Sequence, residues 1–354
     1  MFTITAAQNL LARGIETHIL CYPESSLHKA SEKAGIVTHT SKTKTYFSPF
    51  EILKLRKLIK SEDYTLVHTQ ASKDLWLLSP ALYLTKKRIS LFLTKQVGSY
   101  IVKKDLLHRF IYKRVNKVFA ISKVIERNLL DTCPIPKEKI YLLHNGVDIA
   151  KFNPADIDKT QVRNELGIQS SEIVLGMTSR FSFGKGHEEF LLALSALNKE
   201  FPNLRALIVG EASFGEKEYE AKIKQLAVNL NLTNIIYTGF RSDTNRMFAA
   251  MDIFVFPSHS EAFGIALVEA MAIGTASVCS NSDGILDIAI DGETSFLFEK
   301  QNAEDLTAKL RKLITSPETR MKFAANARQR AIDYFDMKSL TNKVISVYKE
   351  YTSA

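Results

Sequence analysis

Short runs of apolar and β-branched residues alternate with longer amphipathic stretches along the whole chain. The short runs fall at residues 16–22, 64–68, 89–94, 117–121, 173–178, 205–209, 235–238, 253–256 and 276–278. Each is followed by a segment long enough for a helix. This alternation predicts repeated βαβ units, and therefore parallel sheets with helices on their faces.

The alternation pauses between residues 145 and 160, where Gly146, Asn153 and Pro154 interrupt the periodicity. We therefore predict an α/β fold of two doubly wound, Rossmann-like domains, 1–150 and 151–354. Such domains bind ligands at the carboxyl ends of their strands, so we expect the site in a cleft across which the domains face each other.

Length and composition agree with this organisation. The chain has 354 residues, enough for two domains, with 45% hydrophobic and 24% charged residues, a balance typical of a soluble globular protein. No apolar run approaches the length of a membrane-spanning helix. The three cysteines are widely spaced and odd in number, so we expect a reducing cytoplasm, no disulfide framework and no zinc site.

The net charge of +9 is distributed unevenly. Residues 1–150 carry 24 Lys and Arg against 12 Asp and Glu, whereas residues 151–354 carry 23 against 26. This asymmetry favours an anionic partner for the first half: nucleic acid, an anionic membrane surface or a phosphorylated substrate. A solvated basic face is the alternative. No nucleic-acid-binding module is recognisable, so we expect no nucleic-acid partner.

A basic amphipathic segment lies within this half. Residues 101–117 are predicted to form a helix that combines cations with apolar side chains, a pattern suited to a charged interface. The alternative is that its apolar stripe packs into the domain. The expected contacts are Lys86, Lys87, Arg88, Lys103, Lys104, Arg109, Lys113 and Arg114.

The segment 256–274 carries the most suggestive pattern in the second half. A strand ends before Pro257, a polar loop follows, and a helix is predicted from Ala262 with a second acid inside it. Glu261 and Glu269 are eight residues apart, just over two helical turns. The amino end of this helix offers free N–H groups, and Gly264 permits close approach, so an anion can bind there. Taken alone, the spacing more often marks a solvated helix.

A second segment, residues 176–189, lies between a predicted strand and helix. Arg180 and Lys185 stand on a loop punctuated by Gly184 and Gly186, an arrangement that suits two cations converging on one phosphate group. An exposed turn is the alternative. The segment matches neither a Walker A loop nor a GxGxxG motif.

Together these segments resemble the retaining glycosyltransferases of family 4, which have the two-domain GT-B fold. The resemblance rests on E-x7-E in SEAFGIALVEAMAIG, on the upstream SRFSFGKG, and on HNGVD, IVGE, TGF and MFAAMDIFVFPS. It implies that Arg180, Lys185 and Glu261 face the reacting diphosphate and donor sugar, and that Glu269 binds the nucleotide ribose. Further donor-binding residues implied are Phe263, Gly264, Ile265, Gly210, Phe240 and Arg241.

Cations and a helix amino end can stabilise a leaving nucleoside diphosphate without a metal. We therefore expect no cofactor and no metal site, the nucleotide sugar being a substrate. The string Asp156-Ile157-Asp158 matches the metal-binding DxD motif of a rival glycosyltransferase fold, but it follows Asn153-Pro154 in the predicted linker and is interpreted as chance.

On the acceptor side, the resemblance points to the strand ends in residues 66–76 and 91–100. Relatives often carry histidine there, whereas Gln70 and Gln96 stand at these positions. Neither glutamine can act as a base. The candidates for acceptor contacts are His68, Lys73, Asp74, Lys95 and Gln96. For His68, the alternative interpretation is a histidine packed in the core.

Family members usually begin with a strand and a glycine-rich loop, whereas this chain begins with a predicted helix from Thr3 to Arg13, closed by Gly14. We therefore expect the first strand of the N-terminal domain to lie upstream of Met1 or to be absent. At the other end, the last helix, about 337–351, is expected to cross back to the N-terminal domain, as in GT-B enzymes.

These observations predict a cytoplasmic, peripheral membrane glycosyltransferase that acts with retention and without an essential metal. Its donor is a nucleotide sugar, and its acceptor an anionic glycolipid or saccharide of the bacterial cell envelope, with lipopolysaccharide biosynthesis as the nearest resemblance. Two alternatives remain: an inactive GT-B binding protein, which would explain the missing strand, and a GT-B sugar-nucleotide epimerase. The sequence leaves the nucleotide base, the sugar and the linkage open.

Overall fold

The computed structural model describes residues 2–43, 47–85 and 88–352. It divides into two compact units. The first unit contains the chain up to His144 together with the segment from Lys338 onward, and the second unit contains Asn145–Met337. The division falls six residues before the boundary at 150/151 that the sequence predicts.

The first unit is built on short parallel strands. Two of them, β1 (Ile19–Cys21) and β2 (Thr38–Thr40), pair with each other. Four more form a second parallel sheet in chain order: β3 (Leu66–Thr69), β4 (Ser90–Lys95), β5 (Lys117–Ala120) and β6 (Ile140–Leu142). Within the three described ranges, the parallel strands of this unit thus lie in two separate sheets.

Among the described residues of this unit, one helix precedes β1 and five connect successive strands. They are α1 (Phe2–Leu11), α2 (Ser26–Lys33), α3 (Pro49–Ser61), α4 (Leu75–Tyr83), α5 (Leu106–Lys113) and α6 (Lys123–Thr132). The hydroxyls of Ser25, Ser48 and Ser122 cap α2, α3 and α6, and so satisfy N–H groups that lack helical partners. Fully buried Leu91, Phe92 and Leu93 of β4 form the centre of the larger sheet.

The helix predicted over residues 101–117 is shorter than expected, and that prediction is wrong in its bounds. It begins at Leu106, because the Asp105 carboxylate accepts hydrogen bonds from the N–H groups of Leu107 and His108 at 3.1 Å. It ends at Lys113. Lys103 lies before the helix, and its backbone N–H donates a hydrogen bond to the Thr132 carbonyl.

The second unit has one six-stranded parallel sheet, in the order β12–β11–β10–β7–β8–β9. Its strands are β7 (Ile173–Thr178), β8 (Leu204–Val209), β9 (Ile235–Tyr237), β10 (Ile253–Phe256), β11 (Ala276–Ser280) and β12 (Ser295–Phe298). Chain order reverses between the neighbours β7 and β10. The loops that leave these two strands therefore diverge to opposite faces, and such a switch point is where open α/β sheets bind ligands.

The helices of this unit cover both faces of the sheet. They are α7 (Lys159–Glu165), α8 (His187–Leu197), α9 (Lys217–Asn229), α10 (Thr244–Ala250), α11 (Ile265–Ile273), α12 (Ile285–Ile288), α13 (Ala303–Thr315) and α14 (Pro317–Phe335). The core includes Leu175, Val255 and Val278, which are fully buried on three adjacent strands. Such burial on both faces explains the nearly continuous apolar runs in the sequence.

The last helix, α15 (Met337–Thr352), lies against the first unit from Lys338 onward. Its Val347 and Tyr348 are buried against Phe92 and Phe119 of the larger sheet, and the Ser90 hydroxyl donates to the Tyr351 carbonyl at 3.0 Å. In the three described ranges, no helix is long and apolar enough to span a bilayer.

Candidate functional site

Two loops at the carboxyl end of the second unit's sheet are joined through their backbones. One follows β7 and the other follows β10. The His259 N–H donates to the Gly184 carbonyl at 2.8 Å. A Cβ at Gly186, where φ is +79°, would lie 2.2 Å from the Pro257 carbonyl oxygen. The glycines predicted to shape a phosphate loop therefore also allow the two loops to touch.

Lys185 and Glu261 stand on these two loops and form an ion pair. The ammonium nitrogen of Lys185 lies 2.6 Å from Oε1 of Glu261, and both side chains are largely buried. The sequence predicts catalytic roles for both, and the structure brings them together although they are 76 residues apart. In this arrangement Glu261 holds the ammonium group at the end of β10.

Arg180 lies two residues after the end of β7, and its side chain is directed toward a third loop. Its guanidinium donates from Nη1 to the Ser213 hydroxyl at 3.1 Å, in the loop after β8, and the residue is exposed. Arg180 and Lys185 are thus held by different partners, Ser213 and Glu261. That the two cations converge on one phosphate group stays a prediction.

Gly210 contributes space at the end of β8. At φ +138°, a Cβ there would lie 1.9 Å from the Ser179 carbonyl oxygen, and the Gly210 N–H donates to Gly239 at 2.9 Å. These contacts draw the ends of β7, β8 and β9 together. Because Gly210 has no side chain, its backbone can lie close to that of Ser179. Its donor-binding role stays a prediction.

The amino end of α11 lies close to Glu261 in the chain. Gly264 is its N-cap at φ +112° and, lacking a side chain, gives the helix no side-chain cap. The Leu267 N–H donates to the Gly264 carbonyl at 3.0 Å. Phe263 is buried and its ring packs against Phe335. Ile265 is 40% exposed at the first helical position. Gly264 and Ile265 therefore lie where a helix amino end can bind an anion, and the donor-binding role of Phe263 stays a prediction.

Glu269 lies in the middle of α11 and is partly buried. Burial raises the pKa of its carboxyl to about 7, against the opposing effects of the Lys151 charge and a hydrogen bond from Thr244. A carboxylate in this position can accept hydrogen bonds from a pair of hydroxyl groups. The resemblance to family 4 assigns it the ribose.

Phe240 and Arg241 follow β9. The Phe240 ring is 69% exposed, which leaves its face available for stacking. Arg241 is committed to a bidentate contact with Asp243, at 2.8 and 2.6 Å. The structure therefore offers Phe240, more than Arg241, as a contact for a nucleotide base.

A buried acid–histidine pair beside the loops was not predicted from the sequence. The His259 ring nitrogen Nε2 lies 2.8 Å from Oε1 of Glu189, in the first turn of α8. Glu189 lies in the segment 176–189 and His259 in the segment 256–274, the two segments that carry the candidate motifs. The signal in the sequence that could have indicated the pair is the acid that follows the glycine loop. Nearby, His187 stacks on Phe181, and burial lowers the pKa of its imidazole to about 4.

The DxD string serves local structure. Asp158 caps α7 by accepting a hydrogen bond from the Gln161 N–H at 3.0 Å, and Asp156 accepts one from the Asn153 side chain at 2.9 Å. Both carboxylates thus have partners in the linker region, and their interpretation as a chance match stays a prediction.

In the first unit, polar residues gather where β3 and β4 end. The Lys95 ammonium group is buried and donates to the Ser72 hydroxyl at 2.9 Å, and burial lowers its pKa. The Thr69 hydroxyl donates to the Asp74 carboxylate at 2.7 Å, and burial raises the pKa of that acid. Lys73, between these partners, is exposed, and Gln96 follows the last residue of β4.

His68 has a structural environment. Its Nδ1 contacts the Tyr348 hydroxyl, its Nε2 lies 2.7 Å from the Thr94 hydroxyl, and its ring lies among Phe92 and Phe119. Burial lowers the pKa of the imidazole to about 4. With both nitrogens engaged inside the first unit, His68 fits the packed histidine that the sequence left as an alternative, rather than an acceptor contact.

Comparison with known families agrees with the two-unit architecture. Residues 158–330 match the family model described as glycosyl transferases group 1, and residues 1–151 match that of glycosyltransferase family 4. The chain belongs to the family 4-like glycosyltransferases of the GT-B fold, and the enzyme class and fold predicted from the sequence are confirmed.

Individual relatives are distant. The capsular polysaccharide biosynthesis glycosyltransferase CapM of Staphylococcus aureus is 22% identical, over 97% of this chain and 92% of that protein. A glycosyltransferase structure from Rickettsia africae is 25% identical, with a TM-score of 0.89 over 99% of this chain and 94% of that one. The structure of Anabaena HepE with UDP and glucose is 21% identical, with a TM-score of 0.84 over 98% and 95%.

Proposed function

We propose that this enzyme transfers a sugar from a nucleoside diphosphate sugar to an envelope acceptor, with retention and without an essential metal. The observation that carries the proposal is the Lys185–Glu261 pair, held 2.6 Å apart beside the uncapped end of α11. A cation and free helical N–H groups on adjacent loops suit a diphosphate.

The proposed reaction breaks the bond between the anomeric carbon and the diphosphate oxygen. A new bond forms from the acceptor oxygen to the same face of that carbon, and the leaving phosphate takes the acceptor proton. Lys185, Arg180 and the amino end of α11 stabilise the charge that builds on the phosphate. Because fixed cations supply this stabilisation, the reaction needs no metal.

The remaining donor contacts follow from their positions. The ionised Glu269 carboxylate would accept hydrogen bonds from the ribose hydroxyls, and the exposed Phe240 ring would stack on the base. Glu261 would face the sugar while it holds Lys185. Gly210 and residues 263–265 would admit the phosphates to the backbone. UDP-glucose is the first donor to test, because HepE, of similar fold, was solved with UDP and glucose.

The decisive experiment measures nucleoside diphosphate release and sugar transfer with UDP-, GDP- and ADP-sugars, each with and without a chelator. We expect chelator-resistant turnover with one donor class and retained anomeric configuration in the product. Lys185→Ala should lose roughly a hundredfold in rate, since a lost preorganised group costs about 3 kcal/mol. Lys224→Ala is the matched control, because Lys224 forms a 2.6 Å ion pair with Glu220 on α9.

Other outcomes separate the alternatives. Donor binding without turnover would favour the inactive binding protein, and an altered sugar on the recovered nucleotide would favour the epimerase. Turnover that needs an added divalent ion would overturn the metal-independent form. Equal rates for Lys185→Ala and Lys224→Ala would remove the role of Lys185.

For the acceptor, we propose an anionic glycolipid or saccharide of the envelope, reached at the inner face of the cytoplasmic membrane. CapM acts in capsular polysaccharide biosynthesis by its name, which supports an envelope role. Lys95 and Lys73 at the ends of β4 and β3 supply cations for an anionic group, and Asp74 and Gln96 supply hydrogen-bonding atoms.

The membrane contact is proposed for α5 and the segment before it. Apolar side chains here are exposed, with Leu106 at 83% and Leu107 at 63%. Ile111 and Tyr112 of the same helix are buried. For these two residues, the apolar stripe packs into the domain, as in the alternative that the sequence left open. The other exposed apolar residues of this surface are Tyr100, Ile101, Val102 and Phe110.

The cations around these apolar residues complete the surface. Lys104, Arg109 and Lys113 are exposed, and Lys103 is half-buried. Arg114 is half-buried and its guanidinium donates to the Ile89 carbonyl, so we do not include it in the proposed surface. Lys86 and Lys87, also predicted contacts, lie outside the described residues. Each cation near an anionic surface contributes about 1 kcal/mol, so three exposed ones give measurable, salt-sensitive binding.

Vesicle sedimentation tests this surface. We expect binding to anionic vesicles that falls with salt, weaker binding to neutral vesicles, and loss of binding in the double variant Leu106→Glu, Leu107→Glu. Val228→Glu is the control, since Val228 is 66% exposed on α9. Binding to neither vesicle type would exclude a membrane role and leave a phosphorylated soluble acceptor. Equal binding to both types at low salt would exclude the role of the cations.

A further inference from the structure

A cluster of polar side chains joins the two sheets of the first unit at the amino ends of β1 and β3. His18 immediately precedes β1, His39 lies in β2, and Glu62 and Tyr64 lie between α3 and β3. One ligand atom each from His18, His39 and Glu62 lies within 4.8 Å of the other two. Elements from both sheets therefore converge on one point.

The spacing of the two imidazoles is that of metal ligands. His18 Nδ1 and His39 Nε2 are 3.4 Å apart. Nitrogen ligands bind Zn²⁺ at roughly 2.0–2.1 Å in a tetrahedron, whose edge is then about 3.3–3.4 Å. An ion between the two nitrogens would need no change in their separation.

The surroundings of His18 also fit a ligand. Its other nitrogen, Nε2, lies 3.2 Å from the Glu16 carboxylate, so an N–H at that nitrogen donates outward and leaves the Nδ1 lone pair facing His39. A carboxylate that orients a ligating histidine through its second nitrogen is a recurrent feature of metal sites. The His18 side chain is only 11% exposed, which limits the alternatives open to it.

The Tyr64 hydroxyl occupies the remaining side. It lies 2.5 Å from His18 Nδ1 and 3.0 Å from His39 Nε2. Without a metal, this hydroxyl and the two imidazoles form a hydrogen-bonded triad. An ion bound to both nitrogens would displace this hydroxyl from their lone pairs.

We propose that His18, His39 and Glu62 bind a divalent transition metal of the Zn²⁺ type as a structural link between the two sheets of the first unit. Two imidazoles and a carboxylate are ligands that such ions accept. The site lies at the amino ends of the strands, whereas the proposed acceptor residues lie at their carboxyl ends. The expectation of no zinc site rested on the cysteines, and this cluster uses none.

The test uses the full chain, free of any affinity tag and treated with chelator. Co²⁺ is titrated as a spectroscopic probe, because tetrahedral Co²⁺ absorbs visibly, and Zn²⁺ binding is measured by calorimetry and thermal unfolding. We expect one equivalent bound, and affinity reduced at least tenfold in His18→Gln and in His39→Gln. The Zn²⁺-dependent rise in unfolding temperature should disappear in both variants.

His28→Gln is the matched control. His28 is 15% exposed and lies beside two carboxylates, Glu24 at 4.0 Å and Glu32 at 3.7 Å, but it does not belong to the cluster. It should bind like the wild type. Each variant is compared with the wild type in chelator, so that a folding defect is seen separately from lost binding. Equal Co²⁺ spectra in wild type, His18→Gln and His39→Gln, or no binding by the wild type, would overturn the proposal.

Discussion

In the second unit, the loops at the carboxyl ends of the strands are joined through their backbones as well as through side chains, whereas the contacts described at the strand ends of the first unit are between side chains. After β7 and β10, the His259 N–H meets the Gly184 carbonyl, and Gly186 has no room for a Cβ. After β3 and β4, the contacts are Lys95 to Ser72 and Thr69 to Asp74.

This difference bears on what each end can recognise. Backbone contacts through glycine fix the loop path regardless of the other side chains, which suits a diphosphate common to many donors. Side-chain contacts change with each substitution, which suits an acceptor that differs among enzymes. We therefore expect substitutions in the second unit to affect every donor reaction, and substitutions in the first unit to affect transfer to particular acceptors.

Among these predictions, removing the charge of Arg180, in the loop after β7, should have the largest effect on turnover. Arg180→Ala is expected to lower turnover about a hundredfold, or about 3 kcal/mol, because its charge faces the leaving diphosphate in the proposed reaction. The measurement is steady-state donor cleavage and transfer, with thermal unfolding to show that the fold is intact.

Ser213→Ala sharpens this test, because it keeps the charge and removes the 3.1 Å hydrogen bond that directs it. We expect a loss of less than tenfold. If Arg180→Ala turns over within threefold of the wild type, the cation has no part in the chemistry.

Gly186→Ala should separate the two loops. A Cβ 2.2 Å from the Pro257 carbonyl cannot be accommodated without backbone movement, and φ of +79° adds strain. We expect a loss of unfolding free energy on the order of 3 kcal/mol, together with weaker donor binding, measured by denaturant unfolding and calorimetry.

The matched control is Gly215→Ala, where φ is +85° and no atom lies within 4 Å of the added Cβ. This variant has only the backbone strain of a positive φ, so we expect it to lose about 1 kcal/mol of unfolding free energy. Equal losses in the two alanine variants would mean that the contact with Pro257 contributes nothing.

The second unit was the more predictable of the two. The bounds of β7 and β10 agree with the apolar runs at 173–178 and 253–256, since buried parallel strands are continuously apolar. Their glycines and charged residues lie next to these strands in the chain. The strand β12 was missed, because four residues of mixed character carry little periodicity.

The first unit was less predictable because its features depend on tertiary contacts. The strands β2 and β6, each of three residues, gave no recognisable run. The 101–117 segment has helical periodicity, but the Asp105 cap and the contact of Lys103 with Thr132 shorten the helix. Pairs such as Glu189 with His259, 70 residues apart, require the folded sheet before they become visible.

Glu269 provides a pH-dependent test of the second unit. Its pKa is raised by burial to about 7 from an ordinary value of 4.5, so the folded protein binds this proton more tightly than the unfolded chain. Stability from this group is complete below about pH 4.5 and is lost as the pH rises through 7. Glu269→Gln has no such titration.

We expect the unfolding free energy of the wild type, relative to Glu269→Gln, to fall by on the order of 2 kcal/mol between pH 5 and pH 8. Urea unfolding of both proteins at each pH measures the difference, in which other titrating groups cancel. A difference that is constant with pH, or that rises, would contradict the buried state of this carboxyl.

The smallest expected effect on stability is at Lys95 of the first unit, and it tests the comparison most directly. Lys95 is 6% exposed, and its ammonium group has the Ser72 hydroxyl as a partner. Burying a charge is costly, so Lys95→Met, which keeps the chain length, should change the unfolding free energy by less than about 1 kcal/mol, in either direction. Donor cleavage in water should be unchanged, because the donor loops belong to the second unit. Transfer to an anionic acceptor should fall through a higher Michaelis constant for that acceptor.

Lys139→Met is the control, since Lys139 is a partly buried lysine bound to the Val115 carbonyl, away from the ends of β3 and β4. If both methionine variants transfer equally well, the side-chain contacts at these strand ends serve the fold alone, and the proposed division of labour between the two units fails.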